Sequence, residues 1–287
     1  MKERLKVKND FVFQRIFGKN ENKDILISLL NAILGLKLAD VEIGDNTKLE
    51  KDRVEDKQGI LDVRAKTDKG IQINIEIQLV NQYNMDKRTL FYWSKMYAEQ
   101  LNAGQGFSEL SKTITINILD FNYIQLEGYH TSYHLREDTD KEYVLTDQME
   151  IHFIELPKFR KIDPNIKDPL DRWLLFLENA SEEVLDMAKS EDRTIEKAEK
   201  VLDWLSSDEE TRRLYELREK AIHDEITRIN GAKEEGRQEG RQQGKQEEKK
   251  EIAKNMLVNK IDIDLISMTT GLSRDEVLQI QKGIKMN

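Results

Sequence analysis

The chain of 287 residues is long enough for two average domains, or for one large domain with an appendage. Its 46 Lys and Arg residues against 55 Asp and Glu residues give a net charge of −9, which excludes a protein that coats nucleic acid through net charge alone. The lack of cysteine excludes disulfides, thiolate-bound zinc, iron–sulfur clusters and a cysteine nucleophile.

The sequence shows neither a membrane span nor a secretory signal. The longest uncharged run covers residues 25–36, which is shorter than the roughly 20 residues that a membrane helix needs. Six of the first ten residues are charged, and this charge lies where a signal peptide would have its apolar segment. We therefore expect a soluble, cytoplasmic protein without a membrane partner.

Residues 1–165 combine helical and strand patterns. Apolar residues recur at helical spacing after Asn9-Asp10, and a second apolar helix is expected to stop near Gly35. Residues 61–65 and 71–79 then alternate between apolar and polar side chains, which predicts two strands joined by a turn, each with one buried face. The later patterns predict a helix over 85–101 and strands over 113–121, 129–135 and 149–156. This order predicts an α/β core with flanking helices.

An all-helical C-terminal extension is expected after this core. Residues 166–230 have the pattern of helices that pack on the core. Residues 231–251 form a charged arm in which Gly236, Gly240 and Gly244 are four residues apart. Its six basic and six acidic side chains favour an exposed helical spacer. Residues 252–287 regain amphipathic character with a helix–turn–helix rhythm, in which Gly271 forms the turn and Ser273 is the N-cap.

The two alternating strands bring two carboxylates together. A three-residue loop at residues 68–70 would pair Arg64 with Asn74 and Asp62 with Glu76, which places apolar side chains on one face and polar side chains on the other. Directly opposed residues have Cβ atoms about 4.5–5.5 Å apart, so the two carboxylates would repel unless a cation lies between them. Mg²⁺ suits such a place because it prefers oxygen ligands.

These residues carry a resemblance to a known family. The sequence ILD at 60–62, a short turn and IEIQ at 75–78 resemble the PD-(D/E)XK nuclease superfamily, and most of all the Rpn-type recombination-promoting nucleases and transposases. KNDFVFQRIFG at 8–18, HFIEL at 152–156 and EGRQEGRQQGK at 235–245 support the same branch. The resemblance implies a restriction-endonuclease-like core and an endonuclease that cleaves DNA with Mg²⁺ or Mn²⁺. Roles in recombination, mobile elements or phage defence would follow from it.

The resemblance also assigns roles to residues. Asp62, Glu76 and Gln78 would be the catalytic residues. Asp62 and Glu76 would be metal ligands, with the backbone carbonyl of Ile77 as a third. Gln78 stands where the superfamily has lysine, so its neutral amide can orient a water molecule but cannot act as a cationic stabiliser.

Other residues leave two interpretations open. Asp10 could be a further metal ligand or a helix N-cap. Arg88 and Tyr92, one turn apart on the long helix, could meet a DNA phosphate or could be a surface arginine over an aromatic ring. Asp62 and Glu76 could belong to the solvated face of an ordinary hairpin, and the four histidines are expected at the surface.

Two rival functions remain, together with an expectation about partners. A DDE-type transposase would use Asp62, Asp120 and Glu155, although Glu155 lies in a strand pattern and that class places its last acid on a helix. The other rival is an inactive module that holds DNA or a protein on the same fold. We expect DNA as a partner, and a second copy of the chain bound through the arm and the C-terminal module, since residues 252–287 alone form only a small core. The competing use of this module is a helix–turn–helix that touches DNA directly, which its weakly basic charge does not favour.

Overall fold

The computed structural model describes residues 4–44 and 63–285. The strands of these residues are β1 (Val41–Ile43), β2 (Val63–Thr67), β3 (Gln72–Gln78), β4 (Thr113–Leu119), β5 (His130–Arg136) and β6 (Val144–Glu155). They form one sheet in the order β1-β2-β3-β4-β6-β5, in which β3, β4 and β6 are parallel and the other neighbours are antiparallel. This arrangement confirms the predicted α/β class with a mixed sheet. Strand β1 has only three residues, and the sequence pattern did not predict it.

The helices of the same residues are α1 (Asp10–Phe17), α2 (Lys23–Leu34), α3 (Met85–Ala98), α4 (Leu156–Phe159), α5 (Pro169–Leu177), α6 (Glu182–Glu191), α7 (Arg193–Ser207), α8 (Glu209–Val258), α9 (Ile263–Thr270) and α10 (Arg274–Lys285). Helix α1 begins after Asn9, whose side chain accepts a hydrogen bond from the backbone N–H of Phe11 at 3.1 Å. Helix α2 ends at Gly35, which adopts a left-handed conformation with φ 64°. None of the helices in the described ranges is long and apolar enough to cross a membrane.

The β2–β3 hairpin has the predicted register where it is described. Arg64 is opposite Asn74, and Val63 is opposite Ile75. The backbone N–H of Thr67 donates to the carbonyl of Ile71 at 3.0 Å. Gly70 has φ 81°, a conformation that L side chains rarely adopt. Local turn chemistry and strand alternation therefore act together to set the register.

Both faces of β3 are buried, whereas the sequence predicted one. The apolar face packs against α1, α2 and α5, where the ring of Phe17 lies edge-on to Trp173 at 5.7 Å. The polar face is also buried, and Glu76 is only 1% exposed. Helix α3 covers this second face, and Trp93 donates from Nε1 to the carbonyl of Thr113 at 2.9 Å. The polar side chains of β3 therefore lie beneath a helix and not in solvent.

The chain divides into two compact units, Met1–His223 and Asp224–Asn287. In the second unit, residues 231–251 belong to α8 and nearly all of their side chains are exposed. The apolar core of this unit contains the buried residues Ala253, Ile266, Leu272 and Val277. Gly271 ends α9 with φ 70°, and Ser273 and Glu276 exchange capping hydrogen bonds at the start of α10. These features give the second unit its helix–turn–helix form.

Candidate active site

Glu76 lies near the end of β3, in a polar layer between the sheet and α3. Its strand neighbours on this face are Asn74 and, on β4, Thr115 and Asn117. Thr89 of α3 donates from its hydroxyl to Asn117 Oδ1 at 3.0 Å, and Asn117 donates to the carbonyl of His152 at 3.1 Å. These bonds connect α3 to the sheet, so that Glu76 lies beneath this helix.

The two carboxylate oxygens of Glu76 have different surroundings. Arg88 donates from Nε to Oε2 at 3.3 Å. Oε1 is buried and has no hydrogen-bond partner among the described residues. Burial raises the pKa of Glu76, although the charge of Arg88 and its hydrogen bond oppose this rise. A buried oxygen without a partner is costly unless something binds it, so Oε1 is suited to be a ligand atom.

Arg88 and Tyr92 combine the two interpretations that the sequence allowed. The guanidinium carbon of Arg88 lies 5.0 Å from the centre of the Tyr92 ring, a cation–π contact. The same guanidinium group contacts Glu76, and about a quarter of the Arg88 side chain, 27%, remains exposed. Tyr92 itself is buried. Arg88 is therefore an arginine over an aromatic ring and also a cation at the candidate site.

The structure describes two of the other predicted site residues, Gln78 and Ile77, but not Asp62. Gln78 is half-buried at the end of β3, and its carbonyl accepts from the backbone N–H of Asp120 at 2.9 Å. The Ile77 side chain is buried in the apolar core on the other face. Asp62 lies outside the described residues, so its place opposite Glu76 stays a prediction.

Asp10 is the first residue of α1, and Asn9 is the N-cap. One Asp10 oxygen accepts from the backbone N–H of Phe11 at 2.9 Å and from Arg218 Nε at 2.8 Å. The other oxygen accepts from Arg218 Nη2. Asp10 therefore already has a cation as its partner, and its role as a metal ligand stays a prediction.

The acids of the rival transposase site are held by other side chains. Asp120 binds Arg160, and Lys8 Nζ lies 2.9 Å from its other oxygen. Glu155 is fully buried, and one of its oxygens accepts from the backbone N–H groups of Tyr123 at 2.6 Å and Ile124 at 3.2 Å, while the other accepts from Lys158. The contacts of Asp120 and Glu155 are those of structural ion pairs.

A second group of potential ligands lies at the β5–β6 edge. Atoms of His134, Asp147 and Glu150 lie within 4.8 Å of one another. Lys112 Nζ already lies 2.7 Å from Asp147 and 2.6 Å from Glu150. Because this ammonium group occupies the place of a cation, we assign no metal to the group.

The sequence predicted that all four histidines lie at the surface, and this prediction is wrong for His152. His152 is buried, not at the surface; its Nδ1 lies 2.9 Å from Nε2 of His130, and its Nε2 lies 2.7 Å from Glu150.

The sequence interpretation missed Asn117 as a member of the polar layer, although Thr113, Thr115 and Asn117 alternate with isoleucines along β4. That alternation is in phase with the polar residues of β3 and was the available signal for the polar layer.

Two family models match the chain. Residues 7–232 match a PD-(D/E)XK nuclease family transposase model. Residues 246–282 match the C-terminal helix–turn–helix domain of the Rpn/YhgA-like nuclease family. The searches of curated proteins and of solved structures gave no match. Because the first model covers most of the chain and agrees with the restriction-endonuclease-like sheet and helices, the chain belongs to the PD-(D/E)XK nuclease family transposases, in the Rpn-type branch.

Proposed function

We propose that this chain is an endonuclease that hydrolyses DNA phosphodiester bonds with Mg²⁺, or with another divalent cation such as Mn²⁺. Asp62, Glu76 and the carbonyl of Ile77 would hold the ion. The observation that carries the proposal is the buried Oε1 atom of Glu76, which has no hydrogen-bond partner in the described part of the chain. The family match supports nuclease chemistry on this fold.

The residues present fit such an ion. Carboxylate and carbonyl oxygens are the ligands that Mg²⁺ prefers, and Mg²⁺ is usually bound through only one or two protein carboxylates. The described register supports Asp62 as the second carboxylate, because the next residue, Val63, is opposite Ile75 and Glu76 follows Ile75. The raised pKa of Glu76 is also consistent, since a bound cation favours the ionised form that a ligand must have.

The neighbouring side chains would divide the remaining tasks. When bound, the ion would neutralise phosphate charge and lower the pKa of the attacking water. Arg88 places a positive charge next to Glu76, whereas the neutral Gln78 adds none. This guanidinium group would stabilise the negative charge that develops on the phosphate. Gln78 would orient the water molecule through its amide. Helix α3 shields this layer from bulk solvent and so strengthens each of these interactions.

Plasmid nicking with and without Mg²⁺ tests the proposal. The full-length protein should nick DNA only with the ion, and Glu76→Gln and Asp62→Ala should each abolish nicking. Glu42→Gln is the matched control, because Glu42 is an exposed glutamate on the same sheet. Calorimetry should show Mg²⁺ binding to the wild type and much weaker binding to Glu76→Gln. Undiminished nicking by a folded Glu76→Gln protein would contradict the assignment.

An inactive DNA-binding module is the second candidate, and the neutral Gln78 favours it. On this alternative the full-length protein would bind DNA but would not nick it under any divalent cation. The C-terminal helix–turn–helix match supports DNA as the partner in either case. The nicking assay therefore separates the two functions, while a binding assay alone would not.

We also propose that the C-terminal module joins two copies of the chain. Its buried core is small, and three large apolar side chains remain 46–78% exposed, namely Val258, Leu265 and Met268. A second copy would bury these side chains at about 25 cal/mol per Å² of apolar surface. Deletion of residues 252–287 should lower the mass in light scattering and leave a folded core that still binds Mg²⁺. An unchanged oligomeric mass after the deletion would refute this proposal.

A further inference from the structure

A cavity of about 310 Å³ lies between the end of α1 and the edge of the sheet formed by β1 and β2. Three cationic side chains line it: Arg15, Lys19 and Arg64. The described lining includes no carboxylate, although acids outnumber bases in the whole chain. The cavity is therefore a local concentration of positive charge on an acidic protein.

Two of these cations have no acidic partner within 4 Å among the described residues. Arg15 lies over the ring of Phe11, with 5.1 Å between the guanidinium carbon and the ring centre, and Lys19 is exposed. Arg64 is different, because its Nη1 atom lies 3.0 Å from Glu99. The C-terminal end of α1 contributes about half a negative charge, which two full positive charges outweigh. The cavity therefore attracts anions.

The cavity lies at the same end of the β2–β3 hairpin as Glu76, on the face that packs against α1, whereas the Glu76 side chain lies on the α3 face. Val63 forms part of its wall, and Val63 is opposite Ile75, the residue that precedes Glu76. A DNA strand that passes around this end of the hairpin to reach Glu76 also passes the cavity.

The shape of the positive surface favours a polymer over a small anion. A second depression shares Arg15 and Lys19 with the cavity and continues to Lys197 and Lys200 on α7. Its lining also includes Glu21 and the apolar residues Val201, Trp204 and Leu205. Lys197 and Lys200 are paired, with Asp24 and Glu196 respectively, each at 2.6 Å. Glu21 in this depression and Asp208, on which Arg15 acts electrostatically, offset part of the charge of Arg15 and Lys19. Neither acid lies within 4 Å of these cations, so the row of basic side chains still suits a phosphate backbone.

We propose that Arg15 and Lys19 form a phosphate-binding subsite for the DNA strand that is cleaved at Glu76. The subsite rests on the proposed nuclease function. It positions the substrate by charge and does not read the base sequence. It also explains how a chain with net charge −9 can hold DNA, because the positive charge is concentrated locally at the cavity.

Fluorescence anisotropy with a short DNA duplex tests the subsite in the full-length Glu76→Gln protein, which cannot cleave the probe. Adding Arg15→Gln and Lys19→Gln together should weaken binding by about tenfold or more at moderate salt, equally for unrelated sequences. The slope of log affinity against log salt should fall by about 1 for each cation removed. The matched control is Lys69→Gln with Arg213→Gln, which removes the same charges at the hairpin turn and on α8.

Lys19→Glu alone provides a second test, because Lys19 is exposed and its replacement leaves the packing of α1 intact. It should also weaken binding, and circular dichroism should show an unchanged fold. Unchanged affinity and salt slope in both variants would overturn the subsite, even if the wild type nicks DNA. Conversely, a wild type that never nicks DNA but loses affinity in these variants would contradict the nuclease function and retain the basic subsite as a DNA contact.

Discussion

Two buried glutamates near the ends of parallel strands show how similar positions can serve different purposes. Glu76 on β3 and Glu155 on β6 are 1% and 0% exposed, respectively, and β4 lies between their strands. Glu155 accepts from two backbone N–H groups and from Lys158, so both of its oxygens have donors. Glu76 has one donor, and its Oε1 atom has none among the described residues. The difference in hydrogen bonding, not burial, separates a structural acid from a candidate ligand.

The difference in hydrogen bonding matters because an unpaired buried oxygen costs free energy of folding. Leaving a buried acceptor without a partner costs about 1–3 kcal/mol, and more for a charged group. Native proteins keep few such atoms, and those that remain call for a functional explanation. Glu76 lies on the polar layer beneath α3, where Asn74 Oδ1 and Thr115 Oγ1 are also buried without partners among the described residues. Several polar atoms in this layer therefore lack a hydrogen-bond partner among the described residues, whereas both carboxylate oxygens of Glu155 have one.

The largest effect should follow from removal of the candidate ligands. Asp62→Ala and Glu76→Ala should each lower Mg²⁺-dependent nicking by about a thousandfold or more, because the ion supplies both charge neutralisation and water activation. Both variants should stay folded, since removal of one of two close carboxylates relieves repulsion. Nicking rates and circular dichroism measure the two halves of this prediction. A folded Asp62→Ala protein with the wild-type rate would remove the basis of the site.

Glu155 should give the opposite result, a loss of stability. Glu155→Ala leaves Lys158, whose side chain is 12% exposed, without its carboxylate, and it removes the acceptor of two backbone N–H groups. Breaking a buried ion pair in this way costs about 3–5 kcal/mol in the free energy of unfolding. Urea unfolding measures the loss, and Glu155→Gln should recover part of it. A cost below about 1 kcal/mol would show that the donors find other partners.

The sequence predicted the register of the two carboxylate-bearing strands but not the burial of their polar face. Alternation and the turn at Gly70 are local signals, and they fix the pairing of Arg64 with Asn74. The cover by α3 depends on contacts between distant segments, such as Trp93 with Thr113. A helical pattern can reveal that Arg88 and Tyr92 share a face, but it cannot reveal that this face meets Glu76.

Residues outside the central hairpin illustrate the same limit. Asp10 was predicted as a ligand or a cap because both roles suit an acid at a helix start. The structure gives it Arg218 as a partner, more than two hundred residues away in sequence. Arg15 and Lys19 could be read as ordinary surface charges until the sheet edge brings Arg64 and Val63 beside them. Pairings of this length are set by the tertiary fold and leave no local pattern.

Gln78 should give a smaller effect than either glutamate. If its amide only positions water, Gln78→Ala should lower the nicking rate by about tenfold to a hundredfold and leave Mg²⁺ affinity unchanged. Gln78→Lys should keep or raise the rate, because lysine supplies the positive charge that the family resemblance places there. Calorimetry and nicking rates test both variants. Loss of Mg²⁺ affinity in Gln78→Ala would show that the side chain contributes to the ion site itself.

A third acid, Glu150, makes the stability of the protein depend on pH. Burial would raise the pKa of Glu150, but hydrogen bonds from His152 and Lys112 outweigh it and lower the pKa to about 2. The pKa of His130 falls to about 4, because burial and then the neighbouring His152 disfavour its charged form. Because both pKa values are lower in the folded chain, the unfolded chain binds more protons at both groups. The stability that His130 contributes is therefore lost as the pH falls from about 6.5 to 4. The stability that Glu150 contributes is lost as the pH falls from about 4.5 to 2.

The smallest expected effect is therefore a change in the shape of the acid unfolding curve. The melting temperature of the wild type should decline in two overlapping stages as the pH falls, and His130→Gln should flatten the stage between about pH 6.5 and 4 and keep the lower one. His223→Gln is the matched control, because His223 is an exposed histidine on α8, and it should leave both stages in place. Melting curves followed by circular dichroism measure the stages. If His130→Gln and the wild type lose stability in parallel across the upper range, the His130–His152–Glu150 cluster is not a source of acid sensitivity, and the decline belongs to other groups.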